Sequence, residues 1–88
     1  MQPDAPKIEF PCDYPIKVMG PSTPDYKEHV IEIIEMHAQD IDYSRVTLRE
    51  SRDGNYYAVT VFITATGKDQ IAQIFESLKK SDRIKMVL

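Results

Sequence analysis

His29 and His37 stand where chemistry would first be sought, eight residues apart in the stretch KEHVIEIIEMH. A metal held on one helix needs ligands four apart, so this spacing makes no ligand pair. His37 falls in the apolar stripe near the end of that segment, where an imidazole is held by side-chain contacts and the last helical carbonyls. Nucleophilic catalysis needs a base beside the nucleophile and a third group to orient the base. For Ser51, Ser77 and Ser81 the expected topology brings no histidine near, so no such trio assembles and nothing points positively to an enzyme. Cys12 is the one thiol. It makes no intramolecular disulfide, no Cys/His spacing fits a zinc site, and no cofactor is indicated.

A second candidate is the loop GPSTP, residues 20–24. Gly20 permits close backbone approach, the N–H groups opening a helix attract anions, and Ser22 and Thr23 add hydroxyls. The same residues also make sense without a ligand. Gly20 turns the chain, Thr23 caps the helix, and Pro24 starts it where a missing N–H costs nothing. Asp25 and Glu28 disfavour an anion there.

Size and composition bound what can hold these residues. The chain has 88 residues and 42% apolar content, which fits one domain with a thin core. Net charge is −3 and the isoelectric point is near 5.2, against a wholesale electrostatic nucleic-acid binder. No apolar run approaches the ~20 residues of a membrane helix. Residues 1–9 have no apolar core of a signal peptide and are expected to be a mobile tail, with the domain over 10–88 and the cytoplasm as location.

Periodicity predicts the elements. Ile16 to Met19 reads as a strand ended by Gly20, and Pro24 to about Ala38 as an amphipathic helix. Val46 to Ser51 and Tyr56 to Ala65 read as strands joined at Asp53-Gly54, a two-residue hairpin signal. With those two as the loop, Leu48 faces Val59, Val46 faces Val61, Thr47 faces Thr60 and Arg45 faces Phe62. One side of the ribbon is then apolar and the other mixed. Thr66 and Asp69 resemble a capping box before the stripe Ile71, Ile74, Phe75, Leu78. Arg83 to Leu88 alternates, with Ile84, Met86 and Leu88 expected inside. The order β-α-β-β-α-β with right-handed crossovers predicts an α+β, ferredoxin-like fold. It has a four-stranded antiparallel sheet, strands one and three central, and two helices on one face. The core is expected to gather Ile16, Val18, Val30, Ile33, Ile34, Val46, Leu48, Val59, Val61 and Ile63 with the second-helix stripe, Ile84 and Met86.

Strand alternation also predicts what the uncovered face carries. Lys17, Met19, Arg45, Thr47, Arg49, Tyr56, Thr60, Phe62, Lys85 and Val87 should point away from the helices. The first helix holds Asp25, Glu28, Glu32 and Glu35 against Lys27. The molecule should be polarised, with a basic sheet face on which Arg45 stacks over Phe62. A face so charged, with Met19, Phe62 and Val87 as apolar anchors, reads as a partner surface for another protein or a second copy. An RNA-recognition reading fits poorly. In DGNYYAVTVF, Asp53 stands where a basic residue is wanted, Tyr57 has core parity, and only Tyr56 and Phe62 are exposed aromatics.

Phe10-Pro11, Lys17-Val18-Met19-Gly20, Ser51 with Gly54-Asn55-Tyr56, and Met86-Val87-Leu88 resemble the YbeD-like family of small bacterial proteins. The likeness runs over about residues 8–88, with Cys12-Asp13 and Pro15 departing from the family pattern. The resemblance implies a fold similar to ACT-type regulatory domains and no established activity. Such domains often bind small effectors where strand one passes into helix one. This gives the alternative reading of an amino-acid or carboxylate sensor using Gly20, Ser22 and Thr23. The leading expectation is a non-enzymatic interaction or regulatory domain acting through the basic sheet face or an edge strand. Its partner residues would be Lys17, Met19, Arg45, Arg49, Tyr56, Phe62 and Lys85.

Overall fold

The computed structural model describes residues 9–88. The tail expected over residues 1–9 lies, apart from Glu9, outside the described residues. The elements are β1 (Cys12–Pro21), α1 (Tyr26–Glu35), a 3-10 turn (Tyr43–Arg45), β2 (Thr47–Glu50), β3 (Tyr56–Ala65), α2 (Lys68–Lys79) and β4 (Met86–Val87). The sheet is antiparallel in the order β2-β3-β1-β4, so the first and third strands are central as the topology predicts. Helix α1 lies over β1 and β3, and α2 over β3 and β4. The fully buried side chains Ile16, Val18, Val30, Ile34, Val59, Val61, Ile74 and Leu78 fill the space between the layers, with Tyr26 the largest of them.

Strand β1 begins four residues earlier than expected, at Cys12 rather than Ile16, and runs straight through Pro15. Lys17 exchanges both backbone hydrogen bonds with Leu88 (3.1 and 2.8 Å). Odd-numbered residues of β1 therefore aim their backbone polar groups at the β4 side. Beyond Lys17, β4 offers no partner to β1. Pro15 thus has its missing N–H on an open edge, the place in a sheet where proline is tolerated.

The last strand has the opposite parity to that expected. Val18 faces Val87 and Met19 faces Met86, so Val87 packs toward the helices and Met86 and Leu88 point outward, 50% and 61% exposed. The reason is a turn before the strand: the Ile84 N–H bonds to the Ser81 carbonyl (3.2 Å), which buries Ile84. A regular strand from Arg83 would have kept Ile84, Met86 and Leu88 on one side; the turn shifts the chain by one residue. Leu48 faces Val59 as expected, yet is 40% exposed, because β2 lies beyond the two helices. Val46, Ile71 and Phe75 are only partly buried at the margin of the core.

Local starts and stops also differ. Helix α1 opens at Tyr26 with Asp25 at its N-cap position, two residues later than Pro24, and Thr23 does not cap it. Helix α1 ends at Glu35, and the chain turns on to Ala38 through bonds from His37 and Ala38 N–H to the Ile34 carbonyl (3.0 and 2.9 Å). The Thr66–Asp69 box is not made; Gln70 Oε1 accepts from the Thr66 N–H at 2.8 Å instead. The hairpin keeps its expected register, but its loop is the four residues 52–55, closed by the Ser51 N–H to Tyr56 carbonyl bond (2.8 Å). Within this loop Gly54 alone has positive φ (78°), so the two-residue type I′ turn, which needs two such residues, is not formed. The Asp53 carboxylate holds the loop by accepting from Ser51 Oγ, Asn55 N and Asn55 Nδ2 (2.8, 3.2 and 3.0 Å).

Candidate functional site

The opening loop is occupied by the protein itself. Gly20 is buried, and a β-carbon there would stand 2.5 Å from Tyr26 Oη and 2.8 Å from Tyr26 Cε1, with the Arg83 carbonyl closer still. Its bareness makes room for the Tyr26 ring, which also meets Tyr57 at 6.4 Å between centroids. Ser22 is tied to the hairpin loop, its Oγ donating to the Gly54 carbonyl (2.7 Å) and its N–H to the Asn55 carbonyl (3.1 Å). Thr23 Oγ1 accepts from Arg83 Nη2 (2.7 Å), and the same guanidinium pairs with Asp25 (2.5 Å). The Arg83 hydrogen bond holds the Asp25 carboxyl below its ordinary range. Three turns from distant parts of the chain are thereby stitched together at one end. The Tyr26 hydroxyl is buried without a hydrogen-bond partner among the described residues, and burial pushes its pKa up to about 12.

Both histidines do meet serines, contrary to the expectation. His29 Nε2 lies 2.8 Å from Ser81 Oγ, and His37 Nε2 lies 2.7 Å from Ser77 Oγ. The antiparallel seating of α1 against α2 sets His29, at the start of α1, beside Ser81 just past the end of α2. His37, just past the end of α1, meets Gln70 near the start of α2 through its carbonyl and reaches along that helix to Ser77 with its ring, juxtapositions that sequence separation hides. Among the described residues no carboxylate hydrogen-bonds either imidazole, so each pair is a tie across the helix seam without an orienting third group. No group of three or more His, Cys, Asp or Glu side chains converges as a metal site among the described residues.

The open sheet face is different in kind. Lys17 is in register with Thr60, Met19 with Ala58, Thr47 with Thr60, and Arg49 with Ala58, and these side chains point away from the helices. Tyr56 (48% exposed) and half-buried Phe62 lie on the same side of β3. Arg45 stacks on Phe62 at 4.2 Å, but from the 3-10 turn rather than from β2. Arg45 is not a free cation. It pairs with Asp13 (2.5 Å) and with Asp42 (2.8 Å), which hold its guanidinium firmly protonated. Asp13 reaches this face because β1 starts early, so the acid-free face expected from parity acquires one carboxylate. Ser44 and then Arg45 hold the Asp42 carboxyl below its ordinary range.

Lys85 is not on the open face either. It precedes β4 and borders a cleft of about 350 Å³ with Lys79 of α2, Ile84, Met86 and Val87. Its expected place follows from the same parity error that misplaced Val87. Met86 and Leu88 replace them on the face; the signal for the turn that puts them there is Ser81-Asp82 just after α2, the Ser81 Oγ accepting from the Arg83 N–H at 3.2 Å.

The remaining cations of the face, Lys17 and Arg49, make no ion pair among the described residues. They flank a depression of about 260 Å³, walled by Met19 and Tyr56 and with Glu50 and Ser51 at its rim. Its floor is Ala58, the small residue facing Met19 on one side and Arg49 on the other. The alternation Tyr56-Ala58-Thr60-Phe62 carries that signal in the sequence.

The edges are poor docking strips by comparison. The free half of β1 presents Pro15, and β2 is four residues long with Arg49 and Glu50 in it. Proline, charge and shortness are the devices that blunt an edge.

Residues 5–88 match the family model described as a protein of unknown function, DUF493. The chain belongs to that family. DUF493 relatives include a UPF0250 protein of Azotobacter vinelandii, 48% identical over 85 residues, covering 96% of this chain and 92% of the relative. A UPF0250 protein of Hahella chejuensis is 42% identical over 87 residues, covering 99% and 96%. These are the YbeD-like proteins that the sequence motifs resemble. Among solved structures, protein HP0495 of Helicobacter pylori aligns with a TM-score of 0.76 at 17% identity, over 96% of this chain and 88% of that one. The ACT domain of a GTP pyrophosphokinase from Chlorobium tepidum aligns with a TM-score of 0.66 at 16% identity, over 88% and 97%. At such identities these likenesses establish that the DUF493 chain has an ACT-like fold, and nothing about its ligands. No helix of the described residues is long and apolar enough to cross a membrane.

Proposed function

We propose that this chain is a non-enzymatic interaction domain that binds a protein partner through its open sheet face. One observation carries the reading: among the described residues the cations Lys17 and Arg49 stand without acidic partners, beside half-buried Met19 and exposed Tyr56, Met86 and Leu88 on one uncovered surface. Apolar side chains grouped on a surface and rimmed by charge are characteristic of docking sites. Burial of such a group supplies affinity, and the cations supply register and association rate. The blunted edges support the face over an edge strand.

The opening loop supports the sensor reading less well. A ligand there would have to displace the bonds that Ser22 and Thr23 make within the chain, and Tyr26 already fills the space above Gly20.

The test is affinity capture from a bacterial lysate with the wild type, the face variant Lys17→Glu/Arg49→Glu, and a control variant, Glu28→Lys/Glu32→Lys, on α1. Proteins retained by wild type and control should be lost from the face variant. Identical partner lists for all three would remove the proposal. Sedimentation of the same three proteins reads self-association directly.

A further inference from the structure

We infer that the depression over Ala58 receives one bulky apolar side chain of an acidic, extended peptide segment, whose carboxylates meet Lys17 and Arg49. This rests on the open face being the docking surface and names what docks there.

Shape comes first. The depression holds about 260 Å³, below the roughly 300–1,000 Å³ of small-molecule pockets. It is open on the solvent side of a sheet, with the Met19 and Tyr56 side chains as walls and the methyl of Ala58 beneath. Such a recess fits a single anchor residue, and anchors buried in pockets of this kind dominate interface energetics.

Charge then selects the flanks of the anchor. Lys17 lies on β1 and Arg49 on β2, either side of β3 and two residues apart along it. From the strand spacing and rise, their backbones stand about 12 Å apart. An extended chain covers that distance in three to four residues. The complementary segment therefore carries acidic residues three or four apart, with the apolar anchor between them. Arg49 suits a bidentate carboxylate contact, and Lys17 a point-charge contact.

Two other occupants fit less well. A second copy docked face to face about a two-fold axis would bring Lys17 and Arg49 toward their own equivalents, and like charges across an interface are costly. Single-stranded nucleic acid wants several stacking aromatics, but Phe62 is covered by Arg45 and leaves Tyr56 alone. Glu50 at the rim and a net charge of −3 weigh further against phosphates.

The test is selection of a random twelve-residue peptide library, displayed on phage, against the full chain. Enriched sequences should carry Asp or Glu three or four apart around an aromatic or branched apolar residue. Synthetic versions should lose at least tenfold in affinity to Ala58→Met, which fills the recess while leaving both cations. They should lose as much to Lys17→Glu/Arg49→Glu, and nothing to Glu28→Lys/Glu32→Lys. Circular dichroism checks that each variant folds, and Arg49→Glu alone serves if Ala58→Met does not. Peptides that need the two cations but are not acidic, or that bind Ala58→Met as tightly, would overturn this inference while leaving the open face as the docking surface. Peptides indifferent to the charge reversal, or no enrichment at all, would overturn both. A dimer abolished by the charge reversal would replace the peptide by a second copy. Tight, salt-sensitive binding of oligouridylate lost in that same variant would replace it by nucleic acid.

Discussion

Gly20 on β1 and Ala58 on β3 each leave a gap in a central strand, one on the helix side of the sheet and the other on the open side. The gap at Gly20 is filled from within by the Tyr26 ring and the Arg83 carbonyl. The gap at Ala58 is left as a recess bordered by two cations. A space that the chain closes with its own side chains belongs to the fold, even where the loop around it resembles a ligand cradle. A space left open beside unpaired charge is available to another molecule. The closed gap has a cost, since the Tyr26 hydroxyl is buried without a hydrogen-bond partner among the described residues. A buried, unsatisfied hydroxyl costs about 1–3 kcal/mol.

The strongest way to break the comparison is Gly20→Ala. Its added carbon would fall 2.5 Å from Tyr26 Oη and against a backbone carbonyl that cannot swing aside. Overfilling a well-packed site costs about 1–3 kcal/mol, and the upper end is expected here because a main-chain atom is involved. The midpoint of urea denaturation measures it. A loss under about 0.5 kcal/mol would mean that the loop has slack after all, and a cradle would again be possible there.

These two gaps are not equally legible in the sequence. Gly20 was visible as a turn residue, but Tyr26, 0% exposed, could not be identified from spacing as what covers it. The closure is tertiary, made by Arg83 reaching back to Thr23 and Asp25 across the molecule. The fold was legible because the Thr47–Thr60 and Leu48–Val59 register follows from alternation on both strands. The open face was legible on the long strands, where Lys17, Met19, Tyr56 and Phe62 stand as parity requires. It failed where regularity failed. One turn at Ser81–Ile84 inverted β4, sending Lys85 and Val87 off the face and bringing Met86 and Leu88 onto it. The early start of β1 added Asp13, which occupies Arg45.

A smaller effect sharpens the closed side. Tyr26→Phe removes the stranded hydroxyl and keeps the ring, so stability at pH 7 should hold or rise by about 1 kcal/mol. A loss of more than about 0.5 kcal/mol would show instead that the hydroxyl has a partner. Alkaline titration gives an independent reading. In the unfolded chain the phenol ionises near pH 10, whereas in the folded protein it ionises near 12. Its contribution is therefore fully present below pH 10 and is lost as pH rises toward 12, because only the unfolded state sheds the proton in that window. Wild type should lose more stability than Tyr26→Phe between pH 9 and 12. The other tyrosines and the lysines titrate in both proteins, so the difference isolates Tyr26. Parallel curves would mean that its phenol is not shielded from solvent.

The smallest effect is expected on the open side. Ala58→Met places three more heavy atoms over the recess, between Met19 and Arg49, where the fold holds nothing. They enter a depression open to solvent on the face away from the core, and methionine is flexible enough to lie along the sheet. Stability should therefore change by no more than about 0.5 kcal/mol. That is the opposite of Gly20→Ala, although each substitution enlarges a small residue in a central strand. The pair of denaturation midpoints separates a gap that serves the fold from one that does not. If Ala58→Met were as damaging as Gly20→Ala, the recess would be a structural requirement of the sheet. The small side chain at 58 would then need no partner to explain it.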